Sequence, residues 1–383
     1  MKKHAIIPIF ISHRGCPNDC VFCNQKKITA RQGDVTPEDA RRTIEEHLST
    51  LESMNLETVE IAFFGGSFTG IPMEDQRDFL AIAKEYKDAG KVSAIHLSTR
   101  PDYINEEILD NLKAYGVDVI ELGVQSFDPE VLRLSGRGHD VSVVYRSAAL
   151  IKEYGFTLGI QLMIGLPGDT LEKCIFSAKE TVKIGPQIAR LYPTVVIKET
   201  ALYDMYLGGS YTPLSEEEAV NRTKAMYEIL DNAGINIIRV GLKSSDIMAD
   251  QLAFHPAFRQ LVEGRIARER LEAQVQELYP GIEGFADSRD KAADERYKFC
   301  PFALFISNKK CYNNMFGHKG VNRRYFAEKY PRLNIRYVED STAGLSLADN
   351  EYRVLDMGPA FAQLKSLKMF KEVNDESSNH SCR

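Results

Sequence analysis

The chain has 383 residues, enough for one large domain and a smaller one. Its 44% hydrophobic and 27% charged content is ordinary for a globular protein, and a net charge of −6 gives no global field that favours nucleic acid or membrane surfaces. No apolar run reaches transmembrane length, the apolar stretch 5–11 is too short for a signal peptide, and the seven cysteines form no disulfide framework, so a cytoplasmic location with no membrane partner is expected.

In chain order, residues 4–12 read as a buried strand with Pro8 as its flaw. The loop that follows holds Cys16, Cys20 and Cys23, spaced Cys-x3-Cys-x2-Cys, with Phe22 just before the last. Three cysteines among Pro17, Asn18 and Asp19 make a poor core pattern and a good metal-binding one. Two sites fit the spacing. A [4Fe–4S] cluster would take three thiolates and keep one iron open, and a Cys3His zinc site would be completed by His13. The loop alone gives the cluster only a modest lead.

Beyond the loop, Thr36 caps a predicted helix that has Pro37 at its first position. A strand at 58–64 runs into Gly65-Gly66-Ser67-Phe68-Thr69-Gly70. Helices are expected at 74–89, 105–115, 141–154, 170–184 and 215–233, and strands at 92–97, 117–124, 156–164, 187–197 and 235–240. Such alternation predicts an α/β fold with a parallel sheet. Six or more units suit a partly or fully closed barrel, with an open doubly wound sheet as the alternative. After about residue 245 the pattern breaks at Pro256 and Gly264, and a charged helix is expected at 266–278. A short apolar run follows at 302–306, and a last strand and helix at 354–371. The expected divisions are a barrel domain at 1–245, an accessory α+β region at 246–373 and a disordered tail at 374–383.

The residues with chemistry fall repeatedly at strand ends, which in a parallel barrel form one face. The cysteine loop follows the first strand, Gly65-Gly66 the second, Ser98 and Arg100 the third, and Gln125 the fourth. Gln161 lies within the fifth, and Gly165-Leu166-Pro167-Gly168 turns the chain after it. A zinc knuckle needs none of these, so their common placement favours the cluster.

The cysteine spacing with its aromatic resembles the signature loop of radical S-adenosylmethionine (SAM) enzymes. Thr99-Arg100-Pro101-Asp102-Tyr103, Gly123-Val124-Gln125-Ser126, Arg137-Gly138-His139 and Leu191-Tyr192-Pro193-Thr194 resemble stretches of the Elongator catalytic subunit. The likeness covers about residues 4–245 and lacks that family's acetyltransferase domain. A more distant likeness is to oxygen-independent coproporphyrinogen dehydrogenases. The resemblance implies a partial (β/α)6-type TIM barrel. It implies a [4Fe–4S] cluster on Cys16, Cys20 and Cys23, SAM on the open iron, and reductive cleavage to a 5′-deoxyadenosyl radical that abstracts a substrate hydrogen. It implies SAM contacts from Gly65, Gly66, Ser67, Ser98, Gln125, Arg137 and Gln161, with Arg137 toward the carboxylate. Ser98 replaces a glutamate of both relatives, and Gln161 replaces an aspartate that meets the SAM ribose in the porphyrinogen enzymes. The electron is expected from a flavodoxin- or ferredoxin-type protein.

One segment stands apart. Between residues 309 and 336, Lys309, Lys310, Lys319, Arg323, Arg324, Lys329, Arg332 and Arg336 face a single acid, Glu328, with Tyr312, Phe316, Tyr325, Phe326 and Tyr330 interleaved. Basic and aromatic residues together suit an RNA strand, with tRNA as the example to expect. The commoner alternative is a solvated face whose aromatics turn inward. A metal-stapled RNA-binding protein without turnover and an enzyme acting on a small metabolite are the competing functions.

Overall fold

The computed structural model describes residues 4–11, 16, 20–24, 35–51, 53, 54, 56–242, 253–284 and 301–357. The expected tail at 374–383 and the expected helix that closes 354–371 lie outside them, as do His13 and Cys300. The chain divides into two compact units, Met1–Pro256 and Ala257–Arg383.

The first unit carries seven strands: β1 (His4–Ile11), β2 (Thr58–Gly65), β3 (Ala94–Thr99), β4 (Val119–Gln125), β5 (Thr157–Ile164), β6 (Ile188–Pro193) and β7 (Asn236–Val240). They pair in that order, every pair parallel, and β1 and β7 are not paired with each other among the described residues. The sheet is a partial barrel, and its seven strands correspond one to one to the seven expected. β4 is buried along its whole length, as a strand covered on both faces must be.

Helices α1 (Pro37–Leu51), α2 (Met73–Asp88), α3 (Glu106–Ala114), α4 (Pro129–Leu134), α5 (Val141–Glu153), α6 (Leu171–Ile184), α7 (Ala201–Leu207) and α8 (Glu216–Asn232) link the strands. Their starts follow from local chemistry. The side chains of Asn105, Asp128, Asp140, Thr170, Thr200 and Ser215 each accept a backbone N–H of the first turn. Thr36 and Asp39 cap each other reciprocally at α1. Two short helices, α4 and α7, were not anticipated; six or seven residues carry too little periodicity to see.

The sixth strand stops at Pro193, four residues short of the expected end. Proline has no N–H to continue a ladder, and the chain then splits its apolar run. Val195 and Ile197 enter one small cluster, and Val196 another with Leu202 and Tyr211.

The second unit is α+β, as expected. It holds α9 (Phe258–Leu278), β8 (Phe302–Ser307), α10 (Tyr312–Phe316), α11 (Val321–Lys329), β9 (Asn334–Glu339) and β10 (Tyr352–Asp356). Its sheet has the order β10-β8-β9, with β8 and β9 parallel and β10 antiparallel. The long helix begins at Phe258, eight residues before the expected start, because Gly264 does not break it. A Cβ there would stand 3.3 Å from the Gly317 Cα, and Asn322 Nδ2 donates to the Gly264 carbonyl at 2.7 Å. The glycine serves close approach, not a turn.

Candidate functional site

The strand order sets the site. Parallel strands all end on one edge, so the segments that leave β1 to β5 meet there. They form a cleft lined by Cys16, Cys20, Cys23, Gly65, Gly66, Ser98, Gln125, Arg137 and Gln161. Every residue expected at the site except Ser67 lines this cleft. Ser67 is buried beside it, with its Oγ 2.8 Å from Thr99 Oγ1 and accepting the Arg100 N–H at 3.1 Å. It ties the end of β2 to the end of β3. Arg100, singled out with Ser98 at the end of the third strand, also lines the cleft, as do Phe22, Thr99 and Gly123.

The second half of the cysteine loop is held by backbone. Cys23 N–H donates to the Cys20 carbonyl at 2.9 Å, and Val21 N–H to the Ser135 carbonyl at 3.1 Å. Leu202 N–H, at the start of α7, donates to the Val21 carbonyl at 2.7 Å. Val21 and Phe22 pack on Val196, Leu202 and Tyr211. The two unanticipated helices α4 and α7 thus position the loop.

The double glycine has a structural reason of its own. Gly65 has φ +111°, and a Cβ on it would lie 2.8 Å from the Ile11 carbonyl oxygen. Gly66 N–H donates to that same oxygen at 2.8 Å. Only glycine lets β1 and the end of β2 approach so closely.

Gln125 is the most strained cleft residue, with φ +71° at the position where the β4–β5 register slips. Such a bulge re-aims a side chain at the end of a strand. Gly123, two residues earlier, leaves room beside it: a Cβ would stand 3.0 Å from Gln125 Nε2 and 3.5 Å from Arg137 Nη2.

Two buried arginines flank the thiols. Arg137 donates from Nη1 to Cys20 Sγ at 3.3 Å and from Nη2 to the Gly123 carbonyl, while its buried Nε has no partner. Its Nη1 and Nη2 are engaged by the chain itself, and Nε is the donor it keeps for a ligand. Arg100, 3% exposed, grips Asp102 through Nε and Nη2 at 2.9 and 2.8 Å, and its buried Nη1 has no partner.

These contacts decide whether an iron–sulfur cluster and SAM fit. Among the described residues no group of three His, Cys, Asp or Glu side chains is closed around a position for a metal ion. The donors suit a larger anionic group: three thiols on one cleft, with two buried guanidinium groups each keeping an N–H in reserve. Buried donors without partners are costly, and anionic thiolates or a carboxylate would satisfy them.

Below the cleft lies a layer that the sequence did not announce. One polar residue from each of β1 to β6 joins a continuous belt. His4 Nε2 lies 3.2 Å from Glu60 Oε1, and Glu60 Oε2 lies 3.4 Å from His96 Nδ1. His96 Nε2 is 2.5 Å from Glu121 Oε1, an ion-pair distance off the hydrogen-bond axis. Glu121 Oε2 accepts from Gln161 Nε2 at 3.0 Å and from Arg190 Nε at 2.6 Å. Burial pushes the Glu121 carboxyl up, but Arg190 and His96 outweigh it and hold it at about 2. Burial likewise pulls His96 down, and its bonds to Glu121 and Glu60 win, raising it above the usual histidine value. The available signal was one charged residue inside each of several apolar strands; period alone does not say that these residues meet.

Comparison with known proteins bears on this geometry. Residues 10–179 match the family described as the radical SAM superfamily, and residues 186–268 the Radical_SAM C-terminal domain. The tRNA uridine(34) acetyltransferase of Methanocaldococcus infernus is 29% identical over 258 residues, which cover 56% of this chain and 48% of that protein. Elongator complex protein 3 of Saccharomyces cerevisiae is 31% identical over 262 residues, covering 57% of this chain and 47% of its own. The chain spans about half the length of these relatives. The solved archaeal Elp3 of Methanocaldococcus infernus, with residues 1–46 deleted, superposes with a TM-score of 0.51 at 25% identity, covering 65% of this chain and 62% of that one.

Proposed function

The chain belongs to the radical SAM superfamily, and on that premise we propose that the cleft holds a [4Fe–4S] cluster and SAM and turns over substrate by hydrogen abstraction. When bound, the pair supplies reductive cleavage of SAM and a carbon radical able to take a hydrogen atom. The observation that carries this reading is the convergence of three thiols and two buried, partly unpaired arginines on one cleft. Cys16, Cys20 and Cys23 would hold the cluster. Arg137 would balance thiolate charge at Cys20, and Arg100 Nη1 would meet a carboxylate. Phe22 lines the cleft and would help to exclude water. A flavodoxin- or ferredoxin-type protein would deliver the electron.

For the substrate we propose an RNA, with tRNA the first to try. Support comes from the names of the relatives and from exposed Lys309, Lys319, Arg323 and Arg324 in the second unit. A small-metabolite substrate is the second reading. It is favoured by the inward placement of Phe326 and Tyr330, which removes two of the expected stacking platforms.

The test is anaerobic reconstitution with iron and sulfide, then SAM and a low-potential reductant, with 5′-deoxyadenosine measured. Reductant-dependent 5′-deoxyadenosine is expected. Stoichiometric zinc, no iron and no product would overturn the proposal.

A further inference from the structure

Gln161 occupies an unusual position: its side chain belongs both to the cleft and to the belt beneath it. An amide has two faces, one donating and one accepting, and a free amide offers either. Glu121 removes that choice. An ionised carboxylate only accepts, so the Gln161 NH2 must point to Glu121 Oε2, and the distance is 3.0 Å. Gln161 Oε1 then has no donor among the described residues and is the face left for the cleft.

Glu121 is itself fixed. Arg190 Nε holds the same oxygen at 2.6 Å, His96 stands 2.5 Å from the other, and the residue is 0% exposed. The chain makes room for it: a Cβ on Gly159 would be 2.6 Å from Glu121 Cγ. A buried charged layer of this kind adds little stability over well-packed apolar residues, and its best-attested use is to specify an arrangement.

We propose that Glu121 is a positioning residue that locks Gln161 as a pure hydrogen-bond acceptor for a hydroxyl of the bound cofactor. The inference rests on the reading of the cleft as a SAM site. It explains how an amide serves at this position: the belt gives it the acceptor character of a carboxylate without placing a second negative charge beside Glu121.

The test exchanges the two side chains. SAM affinity is measured by calorimetry on cluster-reconstituted protein, wild type, Glu121→Gln, and the swap Glu121→Gln with Gln161→Glu. In the single variant the amide at 161 loses its fixed partner, and SAM should bind about tenfold more weakly, the loss of one hydrogen bond. In the swap, the acceptor at 161 is restored, and the carboxylate stays in reach of Arg190, which is the register partner of residue 161. Affinity should return to within about threefold of wild type. Unchanged affinity in Glu121→Gln, or a folded swap as weak as the single variant, would overturn the proposal. A second readout needs no ligand and no variant. The Gln161 side-chain amide protons, followed by NMR in the apo protein, should exchange slowly in the wild type; free exchange would overturn the lock. If wild-type protein fails to bind SAM, the reading of the cleft falls, while the amide protons still decide whether Glu121 holds Gln161.

Discussion

In the seven-stranded unit, residues as distant in sequence as Cys16 and Gln161 meet in one cleft. In the C-terminal unit, the basic and aromatic residues of 309–336 are neighbours in sequence and separate in space. Phe326 and Tyr330 are fully buried, and Lys329 is bound to Glu272 and Glu283 of other segments. Lys310 pairs with Asp349. The cause is geometric. Parallel strands deliver every following loop to the same edge, so order along the chain becomes proximity. A helix turns successive residues through about 100°, so a run along it is spread around the axis. Residue clustering in sequence therefore means more at strand ends than along a helix.

The sharpest way to break this contrast is to disable the cleft. Cys16→Ala, Cys20→Ala or Cys23→Ala should each abolish an iron content of about four per chain, read by iron analysis after anaerobic reconstitution. Retention of iron in any one variant would show that the loop does not act as a unit.

The next largest effect belongs to the other unit. Phe326→Ala empties a fully buried ring site against Phe305 and should cost about 3–5 kcal/mol by denaturant unfolding. Were Phe326 a stacking platform, stability would hold and RNA affinity would fall.

A smaller effect sharpens the role of charge in the barrel. The folded-state pKa of His96 is raised, because its bonds to Glu121 and Glu60 exceed the cost of burial. Its contribution to stability is therefore fully present below about 6.5, the unfolded value, and is lost as pH rises through the folded value. The apo wild type should lose its stability advantage over His96→Gln on going upward from pH 6.5. His139 is held at about 4 by burial and by Arg137; its own pH dependence is common to both proteins and cancels in the comparison. Parallel unfolding curves for the two proteins would remove His96 from the belt's energetics.

The smallest effect concerns the exposed basic residues. Neutralising Arg323 and Arg324 together should weaken RNA binding alike for all sequences and reduce its salt dependence by about two phosphate contacts. Fold and iron content should not change. An RNA affinity without salt dependence in the wild type would direct the search to a small metabolite.

Much of the barrel was legible. Turn residues and the apolar runs between them place most elements to within a residue or two. Misses have local causes. Pro193 ended a strand whose apolar run continues, and Gly264 sat inside a helix because Gly317 packs against it. The expected residues other than Ser67 line one cleft because their strand-end positions are visible in the order of the chain. Arg137 was recognised, but its contact with Cys20 was not, since 117 residues separate them.

By itself the sequence determined the cysteine loop, the strand–helix alternation and hence the edge on which chemistry gathers, because these follow from spacing, caps and period-two or 3.6-residue patterns within short windows. Only the tertiary structure decided that Glu60, His96, Glu121, Gln161 and Arg190 form one layer, and that the aromatics of 326 and 330 turn inward. Those outcomes depend on the stagger between neighbouring strands and on which element covers a helix face, and neither quantity is written in any local window of residues.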